Sequence, residues 1–250
     1  MLKGIYPKVT YVSNITDIDD KIIEASKHEN LPIKDLTKKY FEIYMEDISL
    51  IGINPPDIQP FATDFIEEMI AYIEKLIGLN KAYEASGNVL FRVNTFENYG
   101  CLSGRKIEEQ KHGKRVEVES YKENENDFTL WKPSRKDEPG WNSPWGYGRP
   151  GWHLECSVMS EITLDIPFDI HGGGNDLKFP HHENEIAQTC ACNGLDKASD
   201  FAKYWFHNGF LNLESEKMSK SLGNVIYIKD LLNDYQGNHI RLALLSTQYR

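Results

Sequence analysis

The sequence has few cysteines, and their spacing does not suggest pairing. Cys101, Cys156, Cys190 and Cys192 are the four cysteines in 250 residues, and they form no spacing typical of a disulfide framework or a zinc module. We also find no apolar leader and no apolar run of about 18 residues that could span a bilayer. These absences favour a reduced, cytoplasmic setting over export or membrane insertion.

Basic residues are also in short supply. The chain has 28 Lys and Arg residues and 38 Asp and Glu residues, which gives a formal net charge of −10 at pH 7. The acidic excess lies partly in residues 57–74 and 117–127. Because affinity for nucleic-acid phosphates comes chiefly from Lys and Arg, we expect these residues alone to bind nucleic acid weakly. The length suffices for one main domain plus an insertion.

Residues 169–188, DIHGGGNDLKFPHHENEIAQ, hold the most informative pattern. An apolar strand end is followed by His171 and three glycines, which let the backbone approach a flat or anionic ligand closely. A helix is predicted to begin at Pro180, and it places His181 and Glu185 one turn apart, with about 6 Å between their Cβ atoms. One cation could accept both side chains. A plain glycine turn and a solvated His/Glu pair are the ordinary alternatives.

A second pattern, EKMSKSLGN at residues 216–224, follows an apolar segment at 204–213. It places the ammonium groups of Lys217 and Lys220 three residues apart in a polar stretch. Such a loop can close over a triphosphate and neutralise the charge that develops on it. An ordinary solvated lysine loop is the alternative. The pentapeptide KMSKS, however, resembles the signature loop of class I aminoacyl-tRNA synthetases.

Three further segments narrow this resemblance: NITDIDDKI at 14–22, GRPGWHLEC at 148–156 and YWFHNGF at 204–210. With them, the chain resembles the catalytic region of the cysteinyl-tRNA synthetase family from end to end. A sister family, the mycothiol-pathway cysteine ligases, shares the glycine and His/Glu run and a similar lysine loop. That family tends to depart after His-His-Glu, whereas HHENEIAQ here follows the synthetase form, so the synthetase is favoured.

The resemblance implies a zinc ion, one per subunit, that selects cysteine by binding its thiolate. Cys156, His181 and Glu185 match three of the family's four protein ligands. This chemistry is sensible because zinc accepts sulfur, nitrogen and oxygen ligands, and a metal–thiolate bond rejects the hydroxyl of serine. Such a site can discriminate without an editing domain.

The resemblance also assigns the remaining candidate residues. Those matching positions around the substrate cysteine are Thr16 and Asp17 near its backbone, with Trp152 and His153 lining its pocket. Those matching the adenine and ribose cradle are His171, Gly172, Gly173, Gly174 and Asp176. Those matching the catalytic lysines of the mobile loop are Lys217 and Lys220, with Lys220 favoured for phosphate contact. The implied substrates are cysteine, ATP with Mg²⁺ and tRNA(Cys), and the implied enzyme is a cytoplasmic monomer with no membrane partner.

Two motifs of that family are absent from the 250 residues. Its first zinc ligand stands in a Cys-Gly-Pro-like turn ahead of the His-Ile-Gly-His motif that grips ATP, and the sequence has neither. Cys192 cannot replace the lost ligand, because it is seven residues beyond Glu185 and therefore about 10 Å along the helix axis. We therefore expect a truncated chain that is inactive alone. A non-catalytic remnant is the other reading, and Cys101, Cys190 and Cys192 are predicted to be buried or surface residues without a metal.

The predicted fold is α/β. It is the Rossmann-like, HUP-type parallel sheet of class I synthetases, without its first strand and interrupted by a connective-peptide insertion. Residues 8–15 are predicted to form a strand, and residues 33–50 and 64–77 to form amphipathic helices. Strands at 168–171 and 204–213 follow, joined by the helix from Pro180 as a right-handed crossover.

Four segments are expected along the chain. They are the incomplete first half of the catalytic domain (1–82), the insertion (83–142), the second half (143–213), and the lysine loop with the start of a helical region (214–250). The insertion is distinguished by short strand-like pieces at 89–93, 115–118 and 128–131 among polar loops. Because the missing strand would lie in the middle of the sheet, we expect unpaired edges and reduced stability of the isolated 250 residues.

Overall fold

A computed structural model describes residues 2–105, 120–213, 216–218 and 223–246. Its helices are α1 (Asp20–Glu29), α2 (Ile33–Leu50), α3 (Ile66–Gly78), α4 (Trp152–Leu164), α5 (Glu183–Asn193), α6 (Ala198–Phe201), α7 (Ile228–Leu231) and α8 (Gly237–Leu245). Its strands are β1 (Ala82–Ala85), β2 (Asn88–Phe91), β3 (Phe128–Pro133), β4 (Gly148–Pro150), β5 (Phe168–Gly174), β6 (Ala202–Asn208), β7 (Asn212–Leu213) and β8 (Glu216–Lys217). The strand-like piece predicted at 115–118 lies outside the described residues.

The helical periodicity of the N-terminal third is confirmed. Helix α2 spans the predicted residues 33–50, and the helix predicted at 64–77 is α3, preceded by a 3-10 turn at Ala62–Phe65. The apolar positions of α3 face the interior, where Met69 and Ile73 are fully buried. Across the described ranges, no helix is both long and apolar enough to cross a membrane.

The chain divides into two compact units. One consists of Met1–Tyr11, Asp20–Ile58 and Phe210–Arg250, and the other of Val12–Asp19 and Gln59–Gly209. Within the first unit, Arg241 donates a hydrogen bond of 2.7 Å to the carbonyl of Gly52, which ties α8 to the turn after α2. The four segments predicted from the sequence remain a prediction.

The second unit contains an antiparallel sheet in the order β1-β2-β3-β4. Strands β2 and β3 confirm the pieces predicted at 89–93 and 128–131, and Phe91 and Trp131 are fully buried between their neighbours. A buried carboxylate, Asp127, accepts hydrogen bonds from the Tyr83 hydroxyl and from the amide of Val93, both at 2.9 Å. Each of these groups is thus satisfied away from water, which stabilises the sheet's connection to its loops.

The parallel strand pair is β5–β6, and the chain between them passes through α5 as predicted. Helix α5 begins at Glu183, after a π-helical turn at Lys178–His182, and not at the predicted Pro180, and β6 ends at Asn208, before the predicted residue 213. The three glycines do not form a turn after β5, as the sequence suggested; they continue the strand. Gly172, Gly173 and Gly174 pair with Phe206, His207 and Asn208. A side chain at Gly173 would meet the His182 ring at 2.9 Å, so the strand can pass this ring only without one.

The strand predicted at residues 8–15 is wrong. In its place an extended segment makes isolated bridges only, one of them parallel from Ile15 to Phe61. At Tyr11 the backbone amide donates to a carboxylate oxygen of Asp57 at 2.8 Å. Because that donor is held by a side chain, it is not available to a strand ladder. The β-branched and aromatic residues that predicted the strand do not reveal this partner.

Helix α4 is placed by a close approach of two backbones. Its N-cap residue, Gly151, donates its amide to the carbonyl of Leu130 in β3 at 2.8 Å. A Cβ atom at Gly151 would overlap the carbonyl oxygen of Thr129, so only glycine fits where α4 leaves the sheet. The residues of α4 that the sequence assigned to a site depend on this junction.

We predict that Gly151→Ala lowers the free energy of unfolding by about 1–3 kcal/mol, because the added methyl group forces β3 and α4 apart. Urea denaturation measures the change. Gly78→Ala is the matched control: nothing lies within 4 Å of its Cβ position, so it should be neutral or slightly stabilising. Equal stability of the Gly151→Ala variant and the parent would contradict the close approach.

Candidate metal centre

Three donor groups of different chemistry converge in the second unit. They are the thiol of Cys156 on α4, the imidazole of His181 in a π-helical turn at Lys178–His182, and the carboxylate of Glu185 on α5. Their donor atoms lie within 4.8 Å of one another, and all three residues are buried. The fold thus brings Cys156, which lies nearly 30 positions before Glu185, next to the i,i+4 pair of His181 and Glu185.

The donor set fits a zinc ion. Oxygen Oε1 of Glu185 is buried and accepts no well-aligned hydrogen bond from the described residues, although Nε2 of His181 lies only 3.0 Å away. These two atoms and the sulfur of Cys156 lie close enough together for one cation to take all three as ligands. Sulfur, nitrogen and carboxylate oxygen are the donors that zinc binds in proteins.

The pKa values of the Glu185 carboxyl and the Cys156 thiol are shifted in opposite directions. Burial alone raises the pKa of Glu185, but the imidazoles of His171 and His181 outweigh it and bring the pKa well below its usual range. Burial, followed by the charges of Glu185 and Glu155, raises the pKa of the Cys156 thiol well above its usual value. The carboxylate is therefore held charged and the thiol neutral until a cation approaches.

Aromatic rings cover one side of the three donors. The half-exposed indole of Trp152 lies over His181, with ring centroids 4.2 Å apart. Nitrogen Nδ1 of His153 lies 2.8 Å from Nδ1 of His181, and the edge of the Phe128 ring packs against His153. Burial and the neighbouring His181 lower the pKa of His153 to about 3, so this ring is neutral at pH 7.

A second group of donors shares Glu185. His171 and His182 bring ring nitrogens within 4.8 Å of its carboxylate. Here, however, hydrogen bonds join the groups in pairs: Nε2 of His171 with Oε2 of Glu185, and Nδ1 of His182 with Nε2 of His207, each at 2.8 Å. These donors are already satisfied, so the first group is the better candidate for an ion.

The residues assigned to the adenine and ribose cradle are only partly grouped. Gly172 and Asp176 are exposed, and nothing crowds the Cβ position of Gly172 closer than 3.6 Å. His171 instead turns its ring towards Glu185. The side chain of Lys217 and the whole of Lys220 lie outside the described residues; at the start of the loop, β8 pairs with β7.

Thr16 and Asp17 lie near α4, but their side chains are engaged within the protein. The Asp17 carboxylate accepts hydrogen bonds from the amide and the hydroxyl of Thr63, at 3.0 and 2.6 Å. Thr16 lies beside the carboxyl group of Glu155 and acts to lower its pKa. Glu155 itself is buried, and burial first, with Asp17 and Asp19 beyond it, raises its pKa well above the usual value.

Sequence reasoning missed several of these polar groups. Asn14 directs its amide at the sulfur of Cys156, 3.5 Å away, and Gln188 donates to the hydroxyl of Ser157 at 2.7 Å. Both residues lie in segments that the sequence analysis selected, but no role was assigned to either of them. Glu155 could have been noticed as a charged residue next to Leu154 and Cys156 in one of those segments.

Comparison with solved structures defines the fold class. The chain superposes on methionyl-tRNA synthetase of Mycobacterium tuberculosis, bound by methionyl-adenylate, with a TM-score of 0.70 at 15% identity, covering 95% of this chain and 56% of that one. A putative arginyl-tRNA synthetase from Campylobacter jejuni gives 0.53 at 14%, covering 87% and 39%. The predicted class I synthetase fold is confirmed.

Sequence comparison then defines the family. Residues 1–250 match the family described as tRNA synthetases class I (C) catalytic domain, and the chain belongs to it. It is 54% identical over 252 residues to cysteine–tRNA ligase of Maricaulis maris and 55% identical over 251 residues to that of Saccharophagus degradans. Each alignment covers the whole of this chain and 54% of the relative, so the chain spans about half the length of these relatives.

The helix that carries Glu185 is also fixed by its neighbour Glu183, which points away from the donors, as helical phase requires. The Glu183 carboxylate is fully buried and accepts the backbone amides of Gly100 and Ser103 at 2.9 Å and of Leu102 at 3.4 Å. This loop of the predicted insertion is thereby held against the start of α5.

We predict that Glu183→Gln lowers the free energy of unfolding by about 2–3 kcal/mol, because the amide weakens charge-assisted bonds and directs a donor at backbone donors. Chemical denaturation of both proteins measures this. Glu67→Gln, on the exposed first turn of α3, is the control and should change stability by less than about 0.5 kcal/mol. A loss no larger than that of the control would show that the loop is held by other contacts.

Proposed function

We propose that these residues belong to a cysteine–tRNA ligase, which activates cysteine with ATP to cysteinyl-adenylate and transfers it to tRNA(Cys). The convergence of Cys156, His181 and Glu185 carries this proposal. The names of the relatives support it. The enzyme is proposed to be cytoplasmic and monomeric, with no membrane partner and with Mg²⁺ accompanying ATP.

In this proposal Cys156 Sγ, His181 Nε2 and a Glu185 carboxylate oxygen hold a zinc ion. When bound, zinc supplies a position that takes the thiolate of substrate cysteine and disfavours the hydroxyl of serine. Glu185 remains ionised beside two imidazoles, as its lowered pKa supports. The half-exposed Trp152 ring over His181 would form the wall of the amino-acid pocket, with His153 behind it.

The remaining assignments concern ATP and the substrate backbone. Exposed Gly172 and Asp176, at the end of β5, are proposed to face the adenine and ribose, since a strand end without side chains lets a ligand reach the backbone. Gly173, Gly174 and His171 complete that segment. Thr16 and Asp17 are proposed to lie beside the cysteine backbone, where Asp17 acts from a position fixed by Thr63.

The lysines of the 217–221 pentapeptide are proposed to act on the triphosphate. An ammonium group that approaches the phosphates as pyrophosphate departs stabilises the charge that develops there. Positioning and charge stabilisation account for most of the rate, because little covalent chemistry falls to the protein. Lys220 is assigned this contact, and Lys217 a supporting one.

The function is tested by cysteine-dependent exchange of ATP and pyrophosphate in the full-length gene product, followed by charging of tRNA(Cys). We expect the Cys156→Ser variant to lose bound zinc in elemental analysis and to bind cysteine more weakly, because a serine hydroxyl is a poor zinc ligand. Cys101→Ser, at an exposed cysteine outside the donor group, should keep its zinc. Unchanged zinc in the Cys156→Ser variant would remove the ligand assignment.

We further predict that Lys220→Ala lowers the exchange rate by roughly 100-fold, because a charge that stabilises the transition state is lost. Zinc content should stay the same, since the loop supplies no ligand. Lys38→Ala, at an exposed lysine of α2, is the matched control for loss of one positive charge. Equal turnover by the Lys220→Ala variant and the parent would rule out a phosphate role.

A further inference from the structure

The two ring nitrogens of His181 have two different partners. Nε2 lies 3.0 Å from Oε1 of Glu185, and Nδ1 lies 2.8 Å from Nδ1 of His153. Two imidazole nitrogens at that separation must share one proton, because two lone pairs or two protons would repel each other. Which ring carries the proton decides what the other nitrogen of His181 can do.

If His153 carried the shared proton, a neutral His181 would have its own proton on Nε2, aimed at Glu185. That arrangement puts a proton where Nε2 faces Glu185 and Cys156, and a protonated ring nitrogen has no lone pair to offer an ion. If His181 carries the proton on Nδ1, its Nε2 presents a lone pair towards the space shared with Glu185 and Cys156. The geometry favours the second arrangement.

We propose that His153 is a positioning residue for the metal centre: its Nδ1 accepts the Nδ1 proton of His181 and so keeps Nε2 of His181 unprotonated and directed at the ion. This inference rests on the zinc site of the proposed function. Metal-bound histidines commonly donate their other ring proton to an acceptor that fixes tautomer and orientation. Here the acceptor is another histidine rather than a carboxylate.

His153 is itself held in place. Gln188 on α5 donates its amide to the His153 carbonyl at 2.5 Å and to the Ser157 hydroxyl at 2.7 Å. The edge of the Phe128 ring lies against the imidazole, with centroids 5.6 Å apart. His153 also stands three residues before Cys156, so one helix supplies both a donor and the group that orients a second donor.

The test compares two variants of the same shape. In His153→Asn the side-chain oxygen can take the place of Nδ1 as an acceptor, whereas His153→Leu has no acceptor. We expect zinc affinity of the full-length gene product, measured by chelator competition, to fall about 10–100-fold in the Leu variant and to be largely kept in the Asn variant. His28→Leu, at an exposed histidine of α1, should bind zinc like the parent.

A second readout uses cobalt in place of zinc. The d–d bands report ligand geometry and the sulfur-to-cobalt absorption reports Cys156, so the Leu variant should show altered bands and the Asn variant the parent's spectrum. Equal zinc affinity in the parent and both variants, or equal loss in both, would overturn the inference. Loss in the Asn variant would overturn it even where the Leu variant fails to fold. A parent that binds no zinc would instead refute the proposed function, and this inference with it.

Discussion

The candidate site depends on one packing constraint, the contact of α4 with α5. Helical periodicity alone places His181 and Glu185 together, but only the packed position of α4 brings the sulfur of Cys156 within reach of them. The Ser157 hydroxyl of α4 joins the two helices by donating to the carbonyl of Glu185 at 3.3 Å, and it accepts a hydrogen bond from the amide of Gln188 on α5. Burying three polar groups in this contact is unfavourable unless a partner satisfies them.

The pKa values of two donors are shifted in opposite directions, and a cation is one partner that would suit both groups. An imidazole–carboxylate pair would satisfy Glu185 by itself and would place no demand on a neighbouring thiol. Instead the pKa of Glu185 is lowered while that of Cys156 is raised, mainly by burial and then by nearby carboxylates. A divalent cation favours the charged form of both groups at once, so it removes the conflict that a hydrogen bond leaves in place.

Local patterns in the sequence predicted the local structure well. The periodic residues of α2 and α3, the strands β2 and β3, and the i,i+4 pair across the start of α5 all follow from spacings of a few residues. The predicted strand at 8–15 failed because Asp57, far along the chain, binds the amide of Tyr11. No local rule reveals such a partner.

The same limit applies within the site. The glycines of β5 were expected to turn the chain, and they extend the strand because β6 pairs with them and the His182 ring lies where a Cβ atom would be. Helical spacing indicates only that Glu183 points away from the donors; its bonds to the loop at 100–103 join residues about 80 positions apart. The spacing of residues within a helix predicts which way a side chain points, but the group that it contacts there depends on tertiary packing.

Selection between a thiol and an alcohol is difficult for an ordinary pocket, because the two groups differ little in size and an apolar wall rejects an added hydroxyl only weakly. A metal ion instead distinguishes the two groups by the chemical softness of the ligand atom, sulfur or oxygen, and not by their volume. On α4, Trp152 and Cys156 are one turn apart and share a face, so the half-exposed ring and the sulfur donor point to one place. In the proposed function, one turn of α4 would therefore supply both the pocket wall that selects the substrate by shape and a ligand of the metal that selects its thiol. Any shift of α4 would disturb both kinds of selection.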